Sequence, residues 1–404
     1  MNIWTDCKKV ALPSLLSFIV DNRGKTVPTA EKGHILIATN CIKNDYLYPV
    51  YEKVRFLTQE TYENFFRAHP MPGDIIFVNK GTPGRCALVP NPVDFCIAQD
   101  MMAFRVDSSK INNVYLLSVL RSYEIQRLIY NISVGDVIPH FKKQMLDKIL
   151  IPLPSLDIQN KIASFYSDFS MKVENNRRIC ENLEAQAQAL FKYWFIDFAP
   201  FKDGKFIESE LGMIPEGWRV GALTEIADYL NGLAMQKFPP LSDDDAIPVL
   251  KIRELGQSQC DNNSDKCSRQ IKPEYIIKNG DVVFSWSGTL MVDIWCGGVC
   301  GLNQHLFKVT SDNYPKWFYL MWTKYHLSEF IRIAKDKAVT MGHIKRGDLE
   351  KALVAIPDRN ILDKMSEVMN DIINQIINTR LESSSLSTLR DALLPKLMSG
   401  QIKL

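Results

Sequence analysis

Two short basic segments offer the clearest chemistry in this chain of 404 residues. In each, a histidine is followed two residues later by a pair of cations: His140 by Lys142 and Lys143, and His343 by Lys345 and Arg346. Adjacent cations beside a turn suit the phosphates of a nucleic-acid backbone, contacts that supply affinity and position without reading sequence. A second group surrounds a repeated Gly-Thr turn, with Lys80 and Arg85 around Gly81-Thr82 and Trp286 just before Gly288-Thr289. Side chains of these types on a turn are suited to enter a groove. For all nine residues the alternatives to DNA contact are ordinary ones: a solvated cationic face, a framework histidine, a packed indole. A third group, Phe191, Tyr193, Trp194, Phe195 and Phe198, gathers aromatic rings at one helix end. That composition fits a core or an interface for a partner subunit.

Signatures of bond making are absent. The chain has no Gly-rich loop ending in Gly-Lys-Ser or Gly-Lys-Thr, no His-Glu-x-x-His, no strand-to-helix G-x-G-x-x-G, and no Asn/Asp-Pro-Pro-aromatic tetrapeptide of the kind aminomethyltransferases use. "NKGTPGR" and "CGGVCG" read as tight turns. Nine scattered cysteines make no zinc spacing backed by histidines and are expected as reduced thiols. A net charge of +2 decides nothing, because a basic patch can hide in a balanced total. No apolar run reaches membrane-spanning length, and "MNIWTDCKKV" lacks the apolar core of a secretory signal, so a cytoplasmic protein without membrane contact is expected. The chain is expected to recognise rather than react.

The candidate residues sit on a framework that occurs twice. "PGDIIFVNKGTPG" from Pro72 matches "NGDVVFSWSGTLM" from Asn279 at an offset of 207, and "IPHFKKQMLDKILIPLP" from Ile138 matches "MGHIKRGDLEKALVAIP" from Met341 at an offset of 203. Gln99 falls on Gln304, Phe104 on Phe307, and Trp4 and Trp218 open the two copies. Short alternating apolar runs broken by Gly, Pro and Asn predict strands, and "NNVYLLSVLRSYEIQRLIY" and "PKWFYLMWTKYHLSEFIRIA" predict one helix in each copy. The segments 28–61 and 238–271 between framework positions share little, which implies one job on two targets.

Each copy feeds a long helix. From Ile158 to Trp194 apolar residues recur at gaps of mostly three and four, and eight of the ten positions stay apolar 203 residues on. The polar flaw repeats too, with Asn176 equivalent to Thr379. A narrow seam cannot be buried alone, so its copy is the natural partner. A 40-residue helix is about 60 Å long. The roughly 20 residues after it reach about 65 Å only when fully extended, which favours an antiparallel pair. The expected fold class is α+β: two pseudo-repeated α/β domains separated by two long antiparallel coiled-coil-like helices. The expected boundaries are 1–154 for the first domain, 155–199 for the central helical region, 200–217 for a linker, 218–357 for the second domain and 358–404 for the C-terminal helical region.

These residues resemble a known family, the specificity subunits of type I restriction-modification systems. The resemblance rests on "GDIIFVNKGTPG", "ILIPLPSLDIQNKIASF", "LFKYWFIDFAPFKDGKFIESELGMIPEGW" and "LPKLMSGQIKL" together with the repeat, and it covers nearly the whole chain. The second copy departs from it, with "AIPDRNILDKM" where the first has "PLP" and Gln. The resemblance makes the two domains target-recognition domains and implies a non-catalytic subunit in which each of them reads one half of a split double-stranded DNA site. It further implies two modification subunits that bring S-adenosylmethionine and adenine-N6 methylation, and restriction subunits that bring ATP, Mg and cleavage, with no cofactor on this chain. A stand-alone nuclease and a pure protein scaffold are the alternatives.

Overall fold

The computed structural model describes residues 2–22, 24, 26–97, 99–135, 138–336 and 342–402. Ala98 and Met341, which fall within the repeated motifs, lie outside them. The chain forms two compact units, Met1–Asn176 with Ser385–Leu404, and Arg177–Ser384. No helix among the described residues is long and apolar enough to cross a membrane.

The first unit holds strands β1 (Lys9–Ala11), β2 (Leu16–Val20), β3 (His34–Ile37), β4 (Arg55–Leu57), β5 (Ile75–Val78), β6 (Cys86–Leu88), β7 (Phe95–Ile97), β8 (Met101–Val106) and β9 (Leu150–Pro152). Its helices are α1 (Gln59–Asn64), α2 (Asn113–Leu120), α3 (Tyr123–Ile132) and the start of α4 (Leu156–Phe195). An antiparallel sheet in the order β2-β8-β5-β6 lies beside a smaller sheet, β4-β3-β7, in which β3 and β7 are parallel. Strand β5 is buried along its whole length, as expected of a strand covered on both faces. Ile75 and Phe77 join Met102, Phe104 and the helical core, while Ile76 and Val78 join Ile37, Phe95 and Ile97 of the smaller sheet. Helix, sheet and sheet therefore form three layers.

Strand β1 pairs with β9, Val10 opposite Ile151, so the two ends of the domain meet just before α4. Gln159, in the first turn of α4 and 1% exposed, accepts the Asn112 backbone N–H at 2.9 Å and donates to the Pro154 carbonyl at 2.9 Å. Asn112 in turn caps α2 by accepting the N–H groups of Val114 and Tyr115. The single helix expected over 112–130 is broken at Arg121-Ser122. Ser122 caps α3 by accepting the Ile125 N–H, and the Arg121 guanidinium donates to the carbonyls of Tyr46 and Cys86 and to the Tyr166 hydroxyl. Serine competes for the backbone in this way at helix starts, which is why the break falls there.

The second unit repeats the plan. It holds β10 (Phe206–Ser209), β11 (Gly212–Pro215), β12 (Arg219–Ala222), β13 (Asp228–Asn231), β14 (Ala246–Leu250), β15 (Lys266–Ser268), β16 (Ile276–Ile277), β17 (Val282–Ser285), β18 (Met291–Ile294), β19 (Cys300–Leu302), β20 (Leu306–Thr310) and β21 (Leu353–Ile356). Its helices are α5 (Leu223–Ile226), α6 (Ile252–Gln257), α7 (Lys316–Asp336), α8 (Arg346–Glu350) and most of α9 (Arg359–Met398). The order β13-β20-β17-β18 matches β2-β8-β5-β6, and β15-β14-β19-β16 matches β4-β3-β7 with one strand added. Pairing of β12 with β21 closes the domain as β1 with β9 does. At the start of α9, Trp317 donates its indole N–H to Ser366 Oγ at 2.9 Å, and Arg359 donates to the Asn313 carbonyl at 2.7 Å.

The segment 200–217, expected as a linker, contains the β10–β11 hairpin. Ile214 is 1% exposed in the core of the second unit, and Phe201 and Phe206 pack on Trp218 and Phe198. Its alternation of apolar and polar residues around a Gly turn makes it a folded part of that unit.

The start of α4 shares a unit with the end of α9, and the end of α4 shares one with the start of α9, the partition an antiparallel course produces. In the first unit Ile162, Ala163 and Tyr166 share a core with Leu394 and Met398, and Arg390 lies over the Tyr166 ring and donates to Ser170 Oγ. In the second, Ala187 and Phe191 share a core with Ile372 and Ile376, and Arg380 donates to Glu184 at 2.6 Å and Asp293 at 3.0 Å. The polar interruptions Asn176 and Thr379 are both buried in their units.

The repeated Gly-Asp is a structural latch. Gly73 and Gly280 have φ of +83° and +90°, the left-handed region that favours glycine. Asp74 accepts the Met71 N–H and both arms of Arg105, at 3.0 and 2.9 Å, while Asp281 accepts the Lys278 N–H and pairs with Lys308 at 2.9 Å. The Asp74 side chain is 3% exposed and that of Asp281 is 25% exposed. Asp74→Ala is therefore expected to cost the first unit about 3 kcal/mol, because it removes a buried carboxylate that holds both arms of the part-buried Arg105. Asp281→Ala should cost the second unit about 1 kcal/mol, because that carboxylate is more exposed and Lys308 keeps a hydrogen bond to the Ile276 carbonyl. Chemical denaturation of the two variants checks the order.

A second prediction concerns pH. Burial holds the His326 imidazole below its ordinary pKa, against the opposing pull of the Leu353 carbonyl, 2.9 Å from Nε2, and of Glu329. As pH falls through about 6.5 the unfolded chain takes up this proton first. The stability His326 contributes is thus present above that pH and lost as pH drops toward its folded value. Denaturation of the second unit between pH 7 and 5.5 should show this decline in the parent, and a smaller one in His326→Gln.

Candidate nucleic-acid interface

The turn after β5 is held by the segment that carries the first basic pair. The Gly81 N–H donates to the Pro139 carbonyl at 2.9 Å, the Phe141 N–H donates to the Asn79 carbonyl at 2.7 Å, and Lys80 stands opposite His140. The second unit builds the same clasp after β17. There the Gly288 N–H donates to the Gly342 carbonyl at 3.0 Å, the Ile344 N–H donates to the Trp286 carbonyl at 3.1 Å, and Ser287 stands opposite His343. Gly81 and Gly288 have φ of +84° and +66°, which explains the repeated glycine. Phe141 and Ile344 are buried beside the histidines and anchor each clasp in its core, Phe141 with its ring 5.3 Å from that of Phe77. The other side of each turn rests on the approach to a neighbouring strand, with the Asn79 N–H on the Asp100 carbonyl and the Trp286 N–H on the His305 carbonyl.

All nine candidate DNA-contact residues lie on or next to these clasps. In the first, Lys80, Arg85, Lys142 and Lys143 are exposed and His140 is half-buried. Lys143 pairs with Asp21 at 3.2 Å. In the second, Lys345 and Arg346 are exposed at the start of α8, and Trp286 and His343 are half-buried. Arg346 is 4.0 Å from Glu350. Among the described residues, the side chains of Lys80, Arg85, Lys142 and Lys345 have no acidic partner, although the Lys345 backbone N–H donates to Asp348 at 2.8 Å. Trp286 donates its indole N–H to Asn231 Oδ1 at 2.9 Å, and its ring lies 5.7 Å from Phe307 and 6.3 Å from His343.

Asn231, Gln304 and His305 also belong to the second clasp, and sequence reasoning missed them as site residues. His305 Nδ1 is 3.4 Å from Ser287 Oγ, and its Nε2 is 3.4 Å from Gln304 Nε2. Gln304 did fall on Gln99 in the repeat, which was a usable signal. Asn231 lies in no repeated motif, and only the adjacency of β13 to β20 brings it here.

The aromatic group at the end of α4 requires a correction. Phe191 and Phe195 are 4% and 2% exposed, with Phe191 edge-on to Trp322 and Phe195 against Trp218 and Phe318. Rings filling the core of their own unit offer no surface to a partner. Trp194 and Phe198 are half-buried against the same core, which leaves Tyr193, 49% exposed, as the accessible ring of the five. The described residues contain no group of three or more His, Cys, Asp or Glu placed to hold a metal ion.

Comparison with known proteins accounts for this twofold plan. The family model for the type I restriction modification DNA specificity domain matches twice, at residues 26–185 and 215–383. The type I restriction enzyme MjaIX specificity subunit of Methanocaldococcus jannaschii is 28% identical over 344 residues, covering 82% of this chain and 78% of that protein. The HindI specificity subunit of Haemophilus influenzae is 20% identical over 398 residues, covering 82% of this chain and 86% of that protein. A crystal structure of the type I restriction-modification system S subunit from M. genitalium matches with a TM-score of 0.50 at 14% identity, over 97% of this chain and 96% of that one, a likeness of fold. With each match spanning one clasp-bearing repeat, the chain belongs to the family of type I restriction-modification DNA specificity subunits.

Proposed function

We propose that this chain reads a bipartite, asymmetric site in double-stranded DNA, each recognition domain contacting one half-site through its clasp, and that it carries no catalytic centre of its own. One observation supports this above the rest: the same backbone clasp occurs at equivalent places in both units with different side chains upon it. A repeated frame with divergent surfaces is what two related reading heads for two sequences require. In this reading α4 and α9 space the heads and offer two similar docking surfaces to two modification subunits, which bring S-adenosylmethionine and methylate adenine N6. Restriction subunits bring ATP, magnesium and cleavage. The assembly works in the cytoplasm.

The test is to express the chain with its modification subunits and map methylated adenines across a genome, with the purified chain alone as control. The expected result is two fixed half-sites at a fixed gap, and no methyl transfer by the chain alone. Four residues added to both α4 and α9 lengthen each by about 6 Å. At about 3.4 Å per base pair the gap should then grow by one or two base pairs with the half-sites unchanged. Methylation by the isolated chain would move the reading to a stand-alone enzyme. Assembly without duplex binding would make the chain a scaffold, and an active lengthened variant with an unchanged gap would mean the helices do not set the spacing.

A further inference from the structure

The two clasps share a backbone and differ in chemistry. Position by position, Asn79 of the first stands where Trp286 stands in the second, Lys80 where Ser287 stands, and Asp100 where His305 stands. Of the cations on the first clasp, Lys143 is engaged by Asp21, while Lys80, Arg85 and Lys142 have no acidic partner among the described residues. On the second clasp, among the described residues, the Lys345 side chain has no acidic partner and Arg346, itself exposed, stands 4.0 Å from Glu350. The described residues of the first clasp thus carry four exposed cations, Lys80, Arg85, Lys142 and Lys143, against Lys345 and Arg346 on the second. That difference matters for a polyanionic ligand, because each phosphate contact releases counterions and steepens the salt dependence of binding.

The second clasp carries planar and amide groups instead, already fixed by one another. The Trp286 indole holds Asn231 by its Oδ1, and His305 sits between Ser287 and Gln304. With its Oδ1 accepting the Trp286 N–H, exposed Asn231 keeps its side-chain N–H groups without a hydrogen-bond partner among the described residues, and half-buried His305 lies at the foot of the same turn. An amide discriminates base edges by hydrogen bonding, and an aromatic face accepts a thymine methyl; neither adds a charge contact.

We propose that the two clasps engage the duplex unequally, the first gripping phosphates through Lys80, Arg85 and Lys142, and the second reading base edges through Asn231 on the Trp286 platform, with His305 positioning the turn through Ser287 and Gln304. The proposal rests on the clasps being the DNA-facing surfaces. It assigns most of the salt-dependent affinity to the first domain, and places base discrimination at the second clasp itself.

The experiment measures duplex binding by the chain assembled with its modification subunits, across a salt series, on DNA carrying the full site or one altered half-site. Replacing Lys80, Arg85 and Lys142 together by Gln should flatten the log-log salt slope by up to about three, close to one unit for each lost phosphate contact, while preference for the first half-site persists. Asn231→Ala and His305→Ala should each lower discrimination at the second half-site on the order of tenfold and leave the slope unchanged. Lys80→Arg with Lys142→Arg keeps the charges and should keep the slope, and His305→Gln, which keeps a hydrogen-bonding group, should restore the discrimination that His305→Ala loses; a loss shared by both would overturn a hydrogen-bonding role for His305. An unaltered slope in the triple variant would overturn the proposal. So would a slope change near one in Asn231→Ala, or undiminished discrimination in both second-clasp variants. Half-site preference untouched by every variant sinks only this inference, whereas a parent complex with no half-site preference sinks the DNA-specificity reading on which it rests.

Discussion

A helix of 40 residues with one narrow apolar stripe has too little grease to stand alone and too much to face water, and that constraint organises this protein. The stripe on α4 and its repeat on α9 must be covered by each other and by whatever domain lies at hand. Each compact unit accordingly includes a piece of both helices, and the aliphatic and aromatic residues of the stripe merge with a recognition domain's own core. Charge is admitted to the seam only when matched: Arg380 is engaged by Glu184, Asp293 and the Ile294 carbonyl, and Arg390 by Asp391, Ser170 and the Tyr166 ring. Buried guanidinium groups left without such partners would cost several kcal/mol each.

Above the helices, each domain is a three-layer body whose central sheet is covered on both faces. Such a sheet tolerates little change, since β5 and β17 are buried along their whole length. Variation is left to the turns at its edge. That explains how Gly81 and Gly288, Phe141 and Ile344, and the main-chain hydrogen bonds around them keep the same arrangement while the neighbouring side chains run from lysine to tryptophan.

Much of this was legible in the sequence because it is carried by periodicity. The 3.6-residue stripe announced both long helices, the repeated Gly-Asp and Gly-Thr announced turns needing positive φ, and the basic pairs stand beside those turns. What escaped depends on contacts between distant segments. The break at Arg121-Ser122 joins a local signal, the Ser122 cap, to the carbonyls of Tyr46 and Cys86 that hold Arg121 and lie far off in the sequence. Burial of Phe191 and Phe195 is decided by Trp218, Phe318 and Trp322, remote in sequence. Asn231 reaches the second clasp only through strand order.

The joints between domain and helix carry a mechanical meaning. In the first unit Gln159 is bonded on both sides, to the Asn112 N–H and the Pro154 carbonyl, and the domain's terminal strands are zipped together immediately before it. In the second, Trp317 and Arg359 tie the first turns of α9 to α7 and the loop before it. A helix held at its root by hydrogen bonds and strand pairing has no swivel there. Each recognition domain is then the head of a key whose shank is its helix: torque that bound DNA applies to a head passes into the shank as rotation about its own axis, and is felt by whatever grips that helix farther along.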